Sequence, residues 1–256
     1  MRITPVQDII HWADKTANLA KTENQLAKLS GTTDLVVLPE MFTTGFCTDQ
    51  LDLAETNEGE TMCKIKDWAQ KFNFAITGSF IATENNNYYN RGFFAFPDGG
   101  IQFADKRHLF SVGGEDKYFS SGENKPIISY CGFNIRLLVC YDIRFPVWSR
   151  NVDNQYDILI YVANFPASRI KNWDILLRAR AIENQAYVCG VNCTGTDGAG
   201  IHYNGHSALL DYKATALLTF PDDVNYIQTY DLQMAPLIQF RKKSAFWKDA
   251  DKFEIL

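Results

Sequence analysis

Long apolar runs and an excess of basic residues are both missing from this sequence of 256 residues. No window reaches the roughly 18 uninterrupted apolar residues that a membrane helix needs. Lysine and arginine number 25 against 30 aspartates and glutamates, giving a net charge of −5 and no basic stripe to meet a phosphate backbone. We therefore expect neither a membrane nor a nucleic acid as a partner. A small anionic substrate would need local positive charge.

Metal-type cysteine pairs and a signal segment are missing as well. The six cysteines include no Cys-x-x-Cys pair, and Cys189 and Cys193 are four residues apart. We expect no metal and no cofactor. The first residues, Met1–Asp8, lack the apolar stretch of a signal peptide, which predicts a cytoplasmic protein with reduced thiols.

Linkers, internal repeats and low-complexity tracts are also missing. No segment rich in Gly, Ser or Pro divides the chain, and its 46% apolar and 14% aromatic residues can supply one sizeable core. The sequence predicts a single domain over residues 1–256, with a loosely packed C-terminal tail over 240–256.

Helix-type and strand-type patterns alternate along the chain, which predicts an α/β fold. Helices are predicted over 14–30, around Met62–Phe72 and over 173–185, and strands over 35–38, 75–81, 91–96, 101–104, 135–140, 157–163, 187–192, 207–210, 214–220 and 226–232. In all we expect about twelve strands and four or five helices.

The most informative stretch is the apolar run over 135–140, which ends on Cys140 and is followed at once by Tyr141 and Asp142. A thiol at the end of a strand is held rigidly, and the turn after it presents backbone N–H donors. A cysteine nucleophile needs both features, although an inert core cysteine gives the same pattern.

Two upstream segments have the same construction, an apolar run that ends on a charged side chain. The strand over 35–38 stops at Pro39 and presents Glu40, and the strand over 101–104 is followed by Lys106. Each is weak evidence alone, because a loop carboxylate or a lysine in a surface ion pair is common.

Together, the sequences around Glu40, Lys106 and Cys140 resemble the Glu-Lys-Cys motifs of the nitrilase superfamily of carbon–nitrogen hydrolases. The resemblance runs through Leu38–Phe46, Asp105–Phe110, Leu137–Pro146, Tyr161–Pro166, Ala179–Val188 and Ala245–Asp251, and so covers essentially the whole chain. The continuations at 107–110 and 145–150 and the short tail are most similar to the omega-amidase branch.

This resemblance implies a four-layer α-β-β-α sandwich of two roughly six-stranded sheets, a single carbon-nitrogen hydrolase domain, and a homodimer. It also implies an amidohydrolase that cleaves the side-chain amide of small dicarboxylic acid monoamides. Substrates of this omega-amide type, such as 2-oxoglutaramate and 2-oxosuccinamate, would be cleaved to acid and ammonia through a cysteine thioester, without a cofactor.

The resemblance further implies a role for each catalytic residue. Cys140 would be the nucleophile and Glu40 the general base. Lys106 and the backbone N–H of Tyr141 would hold the oxyanion. Glu115 lies in a Glu-x-x-Tyr-Phe segment similar to the second glutamate motif of the family, and would orient Lys106.

The omega-amidase branch requires a cation for the distal carboxylate of the substrate, and the planar fork of arginine suits it. Arg169 is the first candidate, because it follows the strand over 157–163 through a loop that contains Pro166. Arg144 is a second candidate, although we expect it to lock Asp142 or a nearby carboxylate. Aromatic candidates for an apolar wall are Phe42, Tyr118, Phe119 and Trp173.

Three alternatives remain open. The same site could act on nitriles or N-carbamoyl amides. A Cys140–His108 pair could replace it, although His108 lies about 6–7 Å beyond Lys106 along the strand direction. In a non-enzymatic binding or assembly protein, Cys140 would be buried, and Glu40 and Lys106 would merely pair.

Overall fold

Two large β-sheets form the middle of the structure. The computed structural model describes residues 1–251 and 253–255, so that Lys252 and Leu256 of the expected tail lie outside the described residues. The strands are Arg2–Gln7 (β1), Leu35–Val37 (β2), Ala75–Glu84 (β3), Asn87–Ala95 (β4), Ile101–Asp105 (β5), Ile128–Tyr130 (β6), Phe133–Val139 (β7), Ile158–Ala163 (β8), Tyr187–Asn192 (β9), Thr194–Thr196 (β10), His202–Asn204 (β11), Ala208–Leu210 (β12), Ala216–Thr219 (β13), Tyr226–Ile227 (β14) and Tyr230–Asp231 (β15). The α-helices are Lys15–Leu29 (α1), Glu60–Phe72 (α2), Pro146–Ser149 (α3), Ile170–Asn184 (α4) and Met234–Lys243 (α5).

No helix within the described ranges is both long and apolar enough to cross a membrane.

The strand directions bring several strand ends together. The seven-stranded sheet has the order β14-β1-β2-β3-β4-β5, with β15 also paired to β1, and the six-stranded sheet has the order β13-β12-β9-β8-β7-β6. β2 is parallel to β3, and β5 runs the same way because β3 and β5 both pair antiparallel with β4. β7 is parallel to β8. The carboxyl ends of β2 and β5 therefore lie at one edge of the first sheet, and those of β7 and β8 at one edge of the second.

Side-chain alternation explains the layers. Leu35 and Val37 of β2 pack into the core between the two sheets, whereas Val36 packs with α1 and α2 on the outer face. On the opposite side, α4 lies close against β9 at Gly190, where a Cβ atom would be 2.6 Å from Leu177 Cδ1. The layers are α-β-β-α, and the expected four-layer sandwich is confirmed.

The strand β1 was not predicted, although it lies between β2 and β14 in the first sheet. Its interior contains Pro5, and Thr4 and Gln7 are buried polar residues, so the sequence lacks a strand-like apolar pattern. Thr4 satisfies its hydroxyl with Thr33 at 2.8 Å. Buried hydrogen bonds hold this strand together with the packing of Ile3 and Val6 into the core.

Two predicted strands have different bounds in the structure. The expected strand over 226–232 is two short strands, β14 and β15, which both pair with β1. The strand expected over 135–140 ends at Val139, and Cys140–Arg144 form a turn of 3-10 helix. Cys140 is therefore at the start of a turn, not at the end of a strand.

Residues 240–243, expected to begin a loosely packed tail, form the last turn of α5. Arg241 anchors this turn from a buried position. Its guanidinium donates to the Gln185 carbonyl at 2.9 Å, the Tyr156 carbonyl at 2.7 Å and Asp157 Oδ1 at 2.7 Å. The packed part of the chain thus extends past residue 240.

Replacing Arg241 with methionine should lower the free energy of unfolding by about 3–5 kcal/mol, because the buried Asp157 carboxylate and two carbonyls lose their donors. Urea unfolding at neutral pH measures this effect. The matched control, Lys242→Met, changes an exposed neighbour on the same helix and should stay within about 0.5 kcal/mol of the original protein. Equal effects of the two changes would contradict the anchoring role.

Candidate active site

Cys140 is the first residue of the 3-10 helix that follows β7, and its backbone is strained. Its backbone φ is 42°, in the left-handed region, which costs a non-glycine residue about 1–3 kcal/mol and is often found at functional sites. The residue is 7% exposed, and its Sγ lies 4.0 Å from the carbonyl oxygen of Asn164, just beyond the end of β8. The thiol is therefore held at the edge where the two strands end.

Lys106, Glu40 and Glu115 form a buried group, here called the charge cluster. Lys106 Nζ lies 3.1 Å from Glu40 Oε1 and 2.8 Å from Glu115 Oε2, and none of the three side chains has exposed surface. Lys106 directly follows β5, Glu40 follows β2, and Glu115 begins a short turn of 3-10 helix. The structure thus brings together three of the predicted side chains.

Asn90 of β4 joins the two carboxylates of the charge cluster. Its Nδ2 donates to Glu40 Oε1 at 2.7 Å and to Glu115 Oε1 at 3.1 Å, and its Oδ1 accepts the Ser79 hydroxyl at 2.9 Å. The two carboxylates only accept hydrogen bonds, so the Nδ2 end of the amide faces them and Oδ1 faces the hydroxyl. Sequence reasoning missed Asn90, since a single buried amide in a strand carries no distinguishing signal.

Asn164 connects the charge cluster to the Cys140 turn. Its main-chain N–H donates to Glu40 Oε2 at 2.6 Å, and its Nδ2 donates to the Glu40 carbonyl at 2.9 Å. Its own carbonyl faces Cys140 Sγ. Asn164 was not predicted as a site residue, although it lies in the Tyr161–Pro166 segment that carries part of the family resemblance.

Burial and charge set the protonation states of these groups. Burial and the Glu40 carboxylate raise the pKa of the Cys140 thiol well above its ordinary value, and Lys106 opposes them only in part. Burial raises the pKa of Glu115. Burial lowers the pKa of Lys106, but the two carboxylates outweigh it and the net pKa is raised. At neutral pH the lysine is an ammonium, and the thiol keeps its proton until a base removes it.

The charge cluster has no place for a metal ion, because Lys106 Nζ occupies the position between the two carboxylates. Elsewhere in the described ranges, no group of three or more His, Cys, Asp or Glu side chains is arranged to hold one.

A cavity of about 370 Å³ opens over Cys140, and three predicted substrate-binding residues, Tyr118, Arg144 and Arg169, line it. The guanidinium carbon of Arg169 is 4.9 Å from the centre of the Phe110 ring, and that of Arg144 is 5.8 Å from the Phe165 ring. Among the residues that the structure describes, neither arginine forms an ion pair with a carboxylate. Both are available to an anionic ligand.

The expected lock between Arg144 and Asp142 is not formed. Asp142 accepts instead from the main-chain N–H groups of Val139 at 3.1 Å and His108 at 2.9 Å. His108 Nδ1 lies 2.8 Å from the same carboxylate. The imidazole does not line the cavity, and among the described residues Cys140 Sγ contacts the Asn164 carbonyl rather than His108, so the alternative Cys140–His108 pair is not formed.

Three predicted aromatic wall residues lie away from the cavity. Trp173 has no exposed surface and donates from Nε1 to the His206 carbonyl at 2.9 Å. Phe42 packs against Phe93, with ring centres 5.9 Å apart, and Phe119 belongs to a separate apolar cluster. These rings are core residues, and the prediction that they bind substrate is wrong. The aromatic lining consists of Trp12, Phe46, Phe110, Tyr118, Tyr141, Phe165 and Tyr203.

Comparison with known proteins decides the family. Residues 2–242 match the family model for carbon-nitrogen hydrolases. The chain belongs to this family. This carbon-nitrogen hydrolase is 40% identical over 255 residues to the omega-amidase YafV of Escherichia coli K12, covering 100% of the chain and 98% of the relative. It is 35% identical over 213 residues to the 2-oxoglutaramate amidase of Bacillus subtilis, covering 82% of each protein.

Solved structures agree with this assignment. The crystal structure of XC1258 from Xanthomonas campestris, a CN-hydrolase superfamily protein, superposes with a TM-score of 0.98 at 36% sequence identity. The match covers 100% of this chain and 99% of XC1258. The resemblance to the nitrilase superfamily is confirmed, and the chain is a carbon-nitrogen hydrolase of the amide-cleaving type.

Replacing Asn90 with leucine should lower the free energy of unfolding by about 1–3 kcal/mol, because the buried oxygens of Glu40 and Glu115 lose their shared donor. Urea unfolding at pH 7 measures this, with Asn87→Leu as the control, since Asn87 is an exposed asparagine on the same strand. An Asn90 variant as stable as the Asn87 variant would show that the amide does not support the charge cluster.

Proposed function

We propose that this carbon-nitrogen hydrolase is an omega-amidase, which cleaves the terminal amide of small dicarboxylic acid monoamides of the 2-oxoglutaramate and 2-oxosuccinamate type. The observation that carries the proposal is one cavity lined by the Cys140 thiol, by Lys106 of the charge cluster and by two guanidinium groups that have no carboxylate partner among the described residues. The omega-amidase and 2-oxoglutaramate amidase relatives, at 40% and 35% identity, support the same substrate class.

In the first half of the proposed reaction, Glu40 removes the proton from Cys140 as the sulfur attacks the amide carbon and a carbon–sulfur bond forms. The Lys106 ammonium and the Tyr141 backbone N–H stabilise the oxyanion. The carbon–nitrogen bond then breaks, the proton passes from Glu40 to the departing nitrogen, and ammonia leaves. A thioester on Cys140 remains.

In the second half, Glu40 takes a proton from water as the water oxygen attacks the thioester carbon. The carbon–sulfur bond then breaks, the proton returns to sulfur, and the carboxylic acid product leaves. The raised pKa of the Cys140 thiol supports this assignment, because a protonated thiol requires a base at the moment of attack.

We assign Glu115 to positioning Lys106. Its Oε2 lies 2.8 Å from Lys106 Nζ and also accepts the main-chain N–H of Phe110 at 2.6 Å. The carboxylate is therefore fixed from two sides, and it holds the ammonium at a constant place beside Cys140. A fixed donor needs little reorganisation when negative charge develops on the oxyanion.

We assign Arg169 to the distal carboxylate of the substrate, with Arg144 as a second cation in the same cavity. A guanidinium can bind a carboxylate with two parallel hydrogen bonds. The Phe110 and Phe165 rings beside the two arginines reduce their contact with water, which strengthens such a pair. Tyr118 completes the wall on the side of the loop that carries Glu115.

A homodimer in the cytoplasm is also proposed. Ile175 and Ile182, seven residues apart on α4, are 66% and 58% exposed and offer an apolar face to a second copy. All six cysteines are free, which suits a reducing compartment. Sedimentation equilibrium should give twice the monomer mass of 29.1 kDa.

Replacing Cys140 with alanine should lower ammonia release from 2-oxoglutaramate by about 10⁴-fold or more, because the nucleophile is lost. Cys189→Ala removes a buried thiol from β9 and should retain activity. The assay should include omega-amides, N-carbamoyl amino acids and nitriles. Activity retained by the Cys140 variant would refute the catalytic assignment, and a preference for nitriles would refute the substrate class.

Replacing Arg169 with glutamine should lower kcat/KM for 2-oxoglutaramate by about 10–100-fold, since a charge-assisted hydrogen bond to the carboxylate is lost. The same variant should lose much less activity on the methyl ester of that substrate, which lacks the distal charge. Lys171→Gln, an exposed cation two residues away and outside the cavity, is the control. Equal losses of kcat/KM on the acid and on the ester would mean that Arg169 does not bind the distal carboxylate.

A further inference from the structure

We propose that Asp142 and His108, here called the clip, hold the Cys140 turn at a fixed position relative to the segment that carries Lys106. The two residues take no part in the chemistry proposed above. They lie on segments from different sheets, because His108 follows β5 of the first sheet and Asp142 follows β7 of the second. His108 is two residues after Lys106, and Asp142 is two residues after Cys140.

The Asp142 carboxylate holds both segments at once. Its Oδ2 accepts the main-chain N–H of Val139, the residue immediately before Cys140, at 3.1 Å. Its Oδ1 accepts the main-chain N–H of His108 at 2.9 Å and lies 2.8 Å from His108 Nδ1. The residue is 1% exposed, so water does not compete for these contacts.

The donor in the side-chain contact follows from the chemistry of the two groups. A carboxylate offers acceptors only, and Oδ1 already faces a main-chain N–H, so His108 Nδ1 must carry the hydrogen that lies between them. The Nδ1–H bond turns the imidazole toward Asp142 and adds a second bond between the same pair of segments.

Aromatic packing fixes the plane of the His108 ring. The ring stacks on Phe145, with centres 3.7 Å apart and planes 6° from parallel, and Trp148 meets it edge-on at 6.1 Å. Phe145 in turn packs against Tyr141, the residue after Cys140, at 5.2 Å. The imidazole is thus held on a ring stack that begins beside the nucleophile.

The clip matters because the Cys140 backbone is strained. A left-handed φ at a non-glycine residue persists only where its surroundings impose it, and Asp142 closes the turn around Cys140 by binding Val139. Without the His108 side-chain bond, the Asp142 carboxylate would hold each segment through one main-chain N–H only, that of Val139 and that of His108. The distance between the thiol and the Lys106 ammonium would then vary.

Three variants separate the His108 donor from the ring. His108→Phe keeps a ring on Phe145 but has no donor, and His108→Asn loses the ring but places Nδ2 near the position of Nδ1. His108→Gln places its amide near Nε2 instead, on a smaller side chain. Each variant is assayed for kcat and KM with 2-oxoglutaramate, and for the rate at which iodoacetamide alkylates Cys140 by mass spectrometry. Thermal unfolding confirms that each protein is folded.

We expect kcat of His108→Phe and His108→Gln to fall by about 10²-fold with KM within about threefold, because a misplacement of about 1 Å costs this much. His108→Asn should remain within about fivefold of the original kcat, and alkylation rates should follow the same order. An unchanged kcat and alkylation rate in His108→Phe would overturn the proposal. Equal impairment of the Phe and Asn variants would also overturn it, since packing alone would then explain the loss.

The kinetic part of this inference rests on the proposed function, whereas the alkylation part does not. An original protein without activity on any omega-amide would refute the substrate assignment, and the order of alkylation rates would still decide on the clip.

Discussion

The buried contact between one ammonium and two carboxylates is the constraint on which the site depends. Glu40 and Glu115 share Lys106 without access to water, which leaves one uncompensated negative charge when both are ionised. Removing such charges from water costs several kcal/mol for each ion. The cost is offset by N–H donors placed at the remaining oxygens, namely Asn90 Nδ2, the Asn164 main chain and the Phe110 main chain. The segments carrying these donors come from both sheets, so the whole fold positions the cluster.

Burial, and after it this negative charge, raise the pKa of the Cys140 thiol. Because Glu40 lies beside a buried thiol, it disfavours a free thiolate, and Lys106 cannot fully counter it while it is shared between two carboxylates. A resting thiol is also protected from adventitious oxidation, since reactivity follows the thiolate form. The arrangement therefore suits a mechanism in which proton removal accompanies attack on a bound amide, rather than one that begins from a standing thiolate.

The sequence was sufficient to predict the charged residues and the cysteine of the site, but not its asparagine or its aromatic wall. The reason is physical. Glu40, Lys106 and Cys140 each follow an apolar strand and lie within motifs, so both the pattern and the family resemblance identify them. Asn90 acts through two hydrogen bonds across the sheet, which no local pattern encodes. Trp173 shows the opposite error, a residue predicted to line the cavity that does not. It lies near the site in sequence but faces the core. Trp173 faces the core because α4 packs closely on β9 at Gly190, a contact that the local sequence pattern does not encode.

The helices and strands of the fold were likewise predictable only in part. Helices such as α1 were predicted from helix-type apolar patterns, whereas β1 was missed because Pro5 and the buried Thr4 and Gln7 interrupt the apolar pattern. Yet β1 lies between β2 and β14, and its Gln7 side chain donates to the Pro221 and Val224 carbonyls at 2.8 and 2.9 Å. Polar side chains there act as tertiary anchors, and each needs its partner in the interior. The strand β1 and the role of Asn90 could not be predicted from sequence patterns for the same reason. In both cases the stabilising contacts join segments that are distant in the sequence.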